Sequence, residues 1–562
     1  MPKAQTKPKT QPWDKSYPSD IKWNMNVETA PVYSMLDNTA AKFGDRPAFD
    51  FLGKKWTWDE INTLSKKMAR GLQRLGAQKG MKIGIMLPNT PYFLIAFYAI
   101  ARTGATAVNF NPLYSEREVA YQIEDSETDL MITLDLGMMY HKLEKMLHST
   151  RLNQIVICPF TDVLPFPKNI LFKTLKGKEI ARIPNNDRHL FYETLIDNEG
   201  KLDPVEINVE EDVALFQYTG GTTGVPKAAQ LTHANLTANA DQVSKWLLNA
   251  RAGEDKMLGV LPFFHVFAMT VVLNLSVKMG FEIIATPRFD LEDTLKIIDK
   301  KKPDHFPAVP AIYSAINNHP KRTQYDLTSL RTCVSGGAPL PVEVKKNFEK
   351  KTGCIVVEGY GLSETSPVLC VNPIVGDNRP GSIGLPFPQT EIELHNPDTG
   401  KKVKDGERGE LCAKGPQVMK GYWNKPEANK ETFDNGWLKT GDIATMDKDG
   451  YFYIVDRIKD MIITNGYNVY PRNVEEAIYL HPSVEECIVA GLPDKKRGEI
   501  VKAWIKLKEG RNLSEEDLKL FLEDKISPME LPKLVEFRES PLPKTMIGKL
   551  SRKDIIAEEK NA

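Results

Sequence analysis

Helical and extended hydrophobic periods alternate through roughly the first two-thirds of this 562-residue chain, which leaves few folds open to it. Ile61, Leu64, Met68, Leu72 and Leu75 recur at the three- and four-residue spacing of one helix face, and Gly76 stops the run. Met81 to Leu87 (MKIGIML) then reads as a strand, Tyr92 to Ala101 as a helix and Ala105 to Phe110 (ATAVNF) as a second strand. This order of strand, helix and strand calls for a crossover, hence a parallel sheet covered by helices. The alternation returns from Lys256 to Val357, so a large α/β body is expected.

After Gly381 the texture changes to short alternating runs with turn signals, such as TEIELHNPDTGKKV and GELCAKGP, which read as an antiparallel, barrel-like β subdomain. From Asn473 onward helix and strand signals return in a small α+β unit of about a hundred residues, a normal domain size. The boundary falls at the charged cluster Asp456, Arg457, Lys459 and Asp460, where a solvated turn and a hinge both fit the residues.

Composition removes several classes of function. Hydrophobic residues make up 41% and charged residues 26%, the balance of a globular protein. The 74 Lys and Arg offset the 74 Asp and Glu, so no overall basic field argues for nucleic acid as a partner. Six cysteines, none in a CxxC pair, fit neither a zinc cluster nor a disulfide scaffold. The first twenty residues have neither the apolar core of a secretory signal nor the arginines of a transit peptide, and read as a flexible tail. The longest apolar run, Pro91 to Ile100, is half of the ~20 residues that a membrane span needs, so a cytoplasmic protein is expected. Residues 168–182 (KNILFKTLKGKEIAR) differ from their surroundings, mixing Ile170, Leu171, Phe172, Leu175 and Ile180 with Lys168, Lys173, Lys176, Lys178 and Arg182. Such a stretch either lies on an anionic membrane as a peripheral contact or docks its apolar side on the body.

The chemistry concentrates in Tyr218 to Lys227, YTGGTTGVPK, which follows the strand-like VALF. Glycines let a backbone turn with its N–H groups inward, threonines add hydroxyl donors and Lys227 adds positive charge, a combination suited to a polyphosphate. It is not a Walker A loop, because Val225 and Pro226 separate the last glycine from the lysine and Ala228 follows it. An ordinary hairpin turn has the same composition, so companions matter. Ser335 to Pro339 (SGGAP) follows another strand-like run, and Val357 to Pro367 (VEGYGLSETSP) sets Tyr360 among glycines ahead of Glu364. An aromatic ring beside exposed backbone can stack on a nucleobase, and a carboxylate near phosphates can hold Mg²⁺. A buried tyrosine and a surface glutamate are the plain alternatives.

YTGGTTGVPK, YGLSETSP, GWLKTGD (Gly436 to Asp442), YIVDRIKD (Tyr453 to Asp460) and PKTMIGK (Pro543 to Lys549) stand in the order found in AMP-forming acyl-CoA synthetases. The chain resembles that adenylate-forming superfamily from about Met35 to Lys553. Within it, the chain looks most like bacterial long-chain fatty-acid:CoA ligases, on DNGWLKTGDIATMDKDGYFYIVDRIKD and on VNFNPLYSEREVAYQIEDS. The resemblance implies ATP, CoA and a fatty acid as substrates, with Mg²⁺ as cofactor. The acid would first join the α-phosphate, expelling pyrophosphate, and the CoA thiol would then displace AMP.

The same resemblance assigns roles. Lys549 would bridge the carboxylate and the α-phosphate. Thr219, Gly220, Gly221, Thr222, Thr223, Gly224 and Lys227 would cradle the β- and γ-phosphates, with Tyr218 also in the ATP site, and Glu364 with Thr219 would bind the metal. Gly337, Ala338 and Pro339 would run along the adenine, with Tyr360, between Gly359 and Gly361, stacked on it. Asp442 would accept from the ribose hydroxyls, and Arg457 would add a ribose or phosphate contact. Ser363 departs from the threonine more usual before that glutamate, and keeps its hydroxyl. A hinge at Lys459 would rotate the small domain between the two steps, exchanging Lys549 for Thr464 to Tyr467, with Gly466 along the pantetheine path. His265, in LPFFHVFAM, matches an element beside the acyl site, as a structural histidine or a substrate gate. Phe264, Phe267 and Met269 around it would line an acyl tunnel or pack the core.

The expected organisation is thus a tail over residues 1–20, an AMP-binding α/β domain with a distorted barrel-like β subdomain over 21–455, a hinge over 456–461 and a mobile α+β domain over 462–562. A medium-chain or aryl-acid:CoA ligase and a fatty-acyl-AMP ligase are alternatives of the same superfamily. A non-catalytic lipid-binding homologue would need a lost catalytic group, and Lys549, Glu364, Asp442 and Arg457 are all present. Self-association is left open.

Overall fold

The computed structural model describes residues 11–219, 226–465, 467–494, 496–545 and 548–561. The α/β reading holds. Helix Trp58–Arg74 starts on a capping box, in which Thr57 Oγ1 accepts from the Glu60 amide and the Glu60 carboxylate accepts from the Thr57 amide. Strand Lys82–Met86 follows, then helix Pro91–Thr103 and strand Thr106–Asn109. Helix Pro91–Thr103 has every residue buried, the state of a helix clasped on all sides. Its one charged side chain, Arg102, is compensated by a two-pronged ion pair with Asp37 at 2.9 and 3.1 Å.

Two large sheets form the body. One has eight strands in the spatial order Gly421–Tyr422, Lys227–Thr232, Val213–Thr219, Thr106–Asn109, Lys82–Met86, Thr128–Leu134, Gln154–Cys158 and His189–Phe191. Its centre is parallel, while Lys227–Thr232 runs antiparallel to both of its neighbours. The other has nine strands with a parallel centre, in which Thr332–Ser335 lies between His305–Ala308 and Ile355–Gly361. The expected antiparallel subdomain is a five-stranded sheet built on Gly409–Lys414 and Trp437–Met446, with Phe452–Arg457 at its side.

A separate five-stranded sheet follows, from Ile462–Thr464 to Leu534–Arg538. Its apolar side chains form clusters of their own, apart from the single large core that runs from Trp13 to Phe452. Along the chain, residues 458–461, with a turn of 3-10 helix at Ile458–Asp460, link the two regions. No helix among the described residues is long and apolar enough to cross a membrane.

Residues 11–20 are not the loose tail expected from their polarity. Trp13 is buried with its ring edge-on to Phe452 at 5.8 Å, and Lys15 pairs with Asp449. One indole supplies enough apolar area to hold a polar segment down, which average composition hides. Residues 168–182 meet the docking alternative only in part: Ile180 bridges to Leu136 and Ala181 packs against the core. Helix Lys168–Leu175 has no buried residue, although Phe172 leans on Phe160 at 5.1 Å.

Candidate active site

A cavity of about 2250 Å³ lies where the two large sheets, the antiparallel sheet and the C-terminal domain meet. The residues that enter it come from strand ends and the turns after them, where backbone groups are exposed and side chains are aimed by the sheet.

Thr219 ends its strand in register with Lys227, whose carbonyl accepts from Thr219 Oγ1 at 3.4 Å. Tyr218 is buried, and its phenol donates to Asp125 at 2.8 Å, which also receives Lys425 at 2.7 Å. Tyr218 therefore anchors the strand end instead of presenting its hydroxyl to a ligand. Gly220, Gly221, Thr222, Thr223, Gly224 and Gly466 lie outside the described residues.

The lysine and the glutamate of the expected phosphate and metal site are joined by a residue that the motifs did not single out. Lys227 Nζ lies 4.7 Å from the centre of the Tyr422 ring, and the Tyr422 hydroxyl donates to Glu364 Oε1 at 2.6 Å. Burial and the Glu364 charge push the Tyr422 phenol up, so it stays a donor. Tyr422 reaches this position because Gly421–Tyr422 pairs with the strand that begins at Lys227, Tyr422 opposite Ala229.

The nucleotide side of the cavity is equally tight. Gly361 ends strand Ile355–Gly361, and a Cβ there would fall 1.8 Å from the Pro367 carbonyl oxygen, so only glycine fits. Tyr360, beside it, donates to Asp442 Oδ2 at 2.5 Å, and Arg457 pairs with Asp442 Oδ1 at 3.2 Å. Asp442 and Arg457 are directly opposed on neighbouring strands, which is how residues fifteen positions apart converge. Gly359, Ala338, Pro339 and Ser363 also line the cavity.

Lys549 enters from the C-terminal domain, on a loop fastened by the Thr545 amide donating to the Lys549 carbonyl at 2.7 Å. A Cβ on Gly337, whose φ is +83°, would stand 2.8 Å from Lys549 Cε, so the glycine makes room for the lysine. Its ammonium makes no ion pair among the described residues, and burial followed by the Arg457 charge lowers its pKa to about 8. Lys459 also lines the cavity, and burial followed by the Arg457 charge lowers its pKa.

The wall opposite is apolar. His265 accepts from the Phe267 amide through Nδ1 at 3.3 Å, which places the proton of the neutral ring on Nε2. Burial and then Lys549 lower its pKa to about 3, so it is neutral. Phe264 and Phe267 line the cavity. Met269 does not: it is fully buried one layer behind, its sulfur accepting from Asn109 Nδ2 at 3.4 Å. The apolar arm continues along helix His233–Trp246 through Val243 and Trp246, facing Pro307 and Val334 of the nine-stranded sheet. Trp246 is pinned by its indole N–H donating to the Asn372 carbonyl at 3.1 Å. Thr464 is buried within its own sheet and Tyr467 is exposed; neither lines the cavity in this arrangement.

Glu364 and Thr219 offer a metal one carboxylate and one hydroxyl. Among the described residues no group of three His, Cys, Asp or Glu could hold an ion by itself. That donor set fits Mg²⁺ arriving on a polyphosphate and keeping phosphate and water ligands.

The fold and this site define a nucleotide-handling enzyme, and comparison with known proteins gives its family. The AMP-binding enzyme family matches residues 36–423, and the AMP-binding enzyme C-terminal domain matches residues 473–549. The chain belongs to the AMP-binding enzyme family. It is 46% identical over 553 residues to a long-chain-fatty-acid–CoA ligase of Bacillus subtilis, covering 98% of both chains. ATP-bound MatB from Rhodopseudomonas palustris superposes with a TM-score of 0.82 at 26% identity, over 95% of this chain and 99% of that one. O-succinylbenzoate coenzyme A synthetase from Bacillus subtilis, in complex with ATP and a magnesium ion, gives 0.75 at 27% identity, over 94% and 100%.

Proposed function

We propose that the protein is a long-chain fatty-acid:CoA ligase acting through an acyl-adenylate. The observation that carries this reading is the Lys549 ammonium, without an ion pair among the described residues, set between the Asp442–Arg457–Tyr360 cluster and an apolar arm backed by Trp246.

A fatty carboxylate and ATP are both anions, and their approach concentrates negative charge on the phosphoryl oxygens. Lys549 and Arg457 supply positive charge there, and Lys227 holds the outer phosphates. The carboxylate oxygen bonds to the α-phosphorus as the bond to pyrophosphate breaks. Mg²⁺ held by Glu364 and Thr219 would neutralise phosphate charge. Tyr360 stacks on the adenine over Gly337 to Pro339, and Asp442 accepts from the ribose. The acyl chain lies in the arm between helix His233–Trp246 and the sheet, each buried CH₂ contributing about 0.8 kcal/mol. Neutral His265 closes the polar end of that arm without adding charge beside Lys549.

In the second step the CoA sulfur bonds to the acyl carbon and AMP leaves with the bridging oxygen. One face cannot serve both reactions, so the C-terminal domain turns about residues 458–461, with Lys459 as pivot, withdrawing Lys549 and presenting the segment from Thr464 to Tyr467.

Pyrophosphate release is measured with acids from acetate to oleate and with 4-coumarate, each with and without CoA. Turnover that peaks with long chains and yields thioester supports the reading. A peak at medium chains or at 4-coumarate replaces the substrate, adenylate accumulating without thioester makes the protein an acyl-AMP ligase, and no turnover with any acid removes the enzyme.

A further inference from the structure

The apolar arm does not end on apolar residues. Pro307 and Val334 stand side by side in the nine-stranded sheet, and two residues earlier on the same strands His305 stands beside Thr332. Met257, on the neighbouring strand Lys256–Gly259, completes that row opposite His305. Side chains two apart along a strand share a face, so the row continues the wall that Pro307 and Val334 present to the arm, about 6.6 Å further along it. Met257, His305 and Thr332 all line the cavity. Gly337, against Lys549, lies past the other end of strand Thr332–Ser335, so the row sits about 17 Å of strand away from the lysine, at ~3.3 Å per residue.

The polar groups of this row are not equally served. The Thr332 hydroxyl accepts from Asn249 Nδ2 at 2.8 Å and donates to Asn249 Oδ1 at 3.1 Å. His305 Nε2 meets Asp255 Oδ2 at 2.9 Å, and that carboxylate is fixed in turn by the Arg251 amide at 2.9 Å, the Arg251 guanidinium at 2.8 Å and Arg331. Nε2 therefore donates, and Nδ1 of the neutral ring is a bare acceptor. It has no hydrogen-bond partner among the described residues, although His305 is only 2% exposed. Phe281, stacked on the imidazole at 5.2 Å, steadies the ring and brings no donor. A buried acceptor on the wall of a cavity calls for a donor carried by what enters the cavity.

The neighbouring charges decide which donor. Arg251 and Arg331 are matched by Asp255 and Asp304, Arg251 reaching Asp304 at 2.8 Å and Arg331 at 3.1 Å. The floor of the arm thus has no net charge with which to hold a second carboxylate or an ammonium, and a neutral O–H group is what suits it. We propose that the far end of the arm recognises a hydroxyl at the ω-end of the acyl chain, which donates to His305 Nδ1. The assignment rests on the fatty-acid reading above and names a substrate class within it, the long-chain ω-hydroxy acids. In a wholly apolar arm a terminal hydroxyl is a penalty at every chain length, because it leaves water and finds no partner. With His305 at the floor it becomes a gain at the length that spans the arm.

The test is kcat/KM for pyrophosphate release with the ω-hydroxy derivatives of the even-numbered acids from decanoate to octadecanoate, each beside its plain acid and the matching dicarboxylic and ω-amino acids. The hydroxy acid is expected to be preferred about tenfold over the plain acid at one chain length and to be disfavoured at shorter ones. His305→Phe keeps a ring against Phe281 and removes the acceptor, so the hydroxy-to-plain ratio at that length should fall below one. The length profile of the unaltered protein decides the question even if that variant fails to fold. A hydroxyl disfavoured at every length, an equal preference for the dicarboxylic or amino acid, or a ratio that His305→Phe leaves in place would each overturn the proposal and leave the ligase standing. No turnover of any acid, plain or hydroxylated, would remove the fatty-acid reading and this substrate class with it.

Discussion

Lys549 carries the most testable chemistry at the scale of single residues. An ammonium with a pKa of about 8 is charged below that pH and loses its proton as pH rises through it. Bridging two anions requires the charged form, so kcat/KM for pyrophosphate release is expected to fall above about pH 8. Lys549→Ala should abolish that alkaline limb and lower the rate roughly a hundred- to a thousandfold; a limb persisting in the variant would assign it to another group. Tyr422→Phe keeps the ring beside Lys227 and removes the hydroxyl on Glu364. It should raise the Mg²⁺ concentration for half-maximal adenylation about tenfold, while the KM for the acid stays put. The residues legible in the chain were those whose meaning is local. Tyr360 and Glu364 sit in a short stretch whose composition suggests a nucleobase and a metal, whereas Asp442 and Lys549 are readable only through the family resemblance of their motifs. Tyr422 acquires its role only by lying opposite Ala229, nearly two hundred positions away, and no spacing shows that. Met269 was apolar and adjacent, but adjacency does not say which side of a helix faces a cavity and which faces packed core.

Elements position these residues, and glycines show where they do so at contact distance. Gly361→Ala must push strand Ile355–Gly361 off the Pro367 carbonyl and is expected to cost about 3 kcal/mol or more in denaturant unfolding. Gly353→Ala, at a φ of +78° but in open space, should cost only about 1–2 kcal/mol. The acyl arm is a space between one helix and one sheet, so a larger side chain on the strand shortens it. Val334→Phe should reduce turnover of the longest acids about fourfold for each methylene excluded, with medium-chain acids spared; an unchanged chain-length profile would place the acyl chain elsewhere. Helices and parallel strands were readable from periodicity because each buries a face against a neighbour in sequence. The depth of the arm was not, because Trp246, Pro307 and Val334 meet only through tertiary packing.

Across the whole molecule, the proposed rotation predicts a distance change. The six cysteines are buried, so Asp398→Cys and Glu516→Cys, both exposed and on opposite sides of residues 458–461, would label selectively. Transfer efficiency between dyes should differ between the ATP-bound state and the state with AMP and CoA; one unvarying value would mean a fixed domain. The separate apolar clusters on either side of this four-residue link have a thermodynamic consequence as well. Cooperativity is shared only where side chains are shared, and the two regions keep separate apolar clusters while touching at contacts such as Arg552 with Asp456. Heating should therefore give two calorimetric transitions, the smaller from the C-terminal region. A ligand that bridges the link should draw that transition up toward the larger one, so the gap between the two peaks becomes a direct gauge of how firmly the halves are coupled.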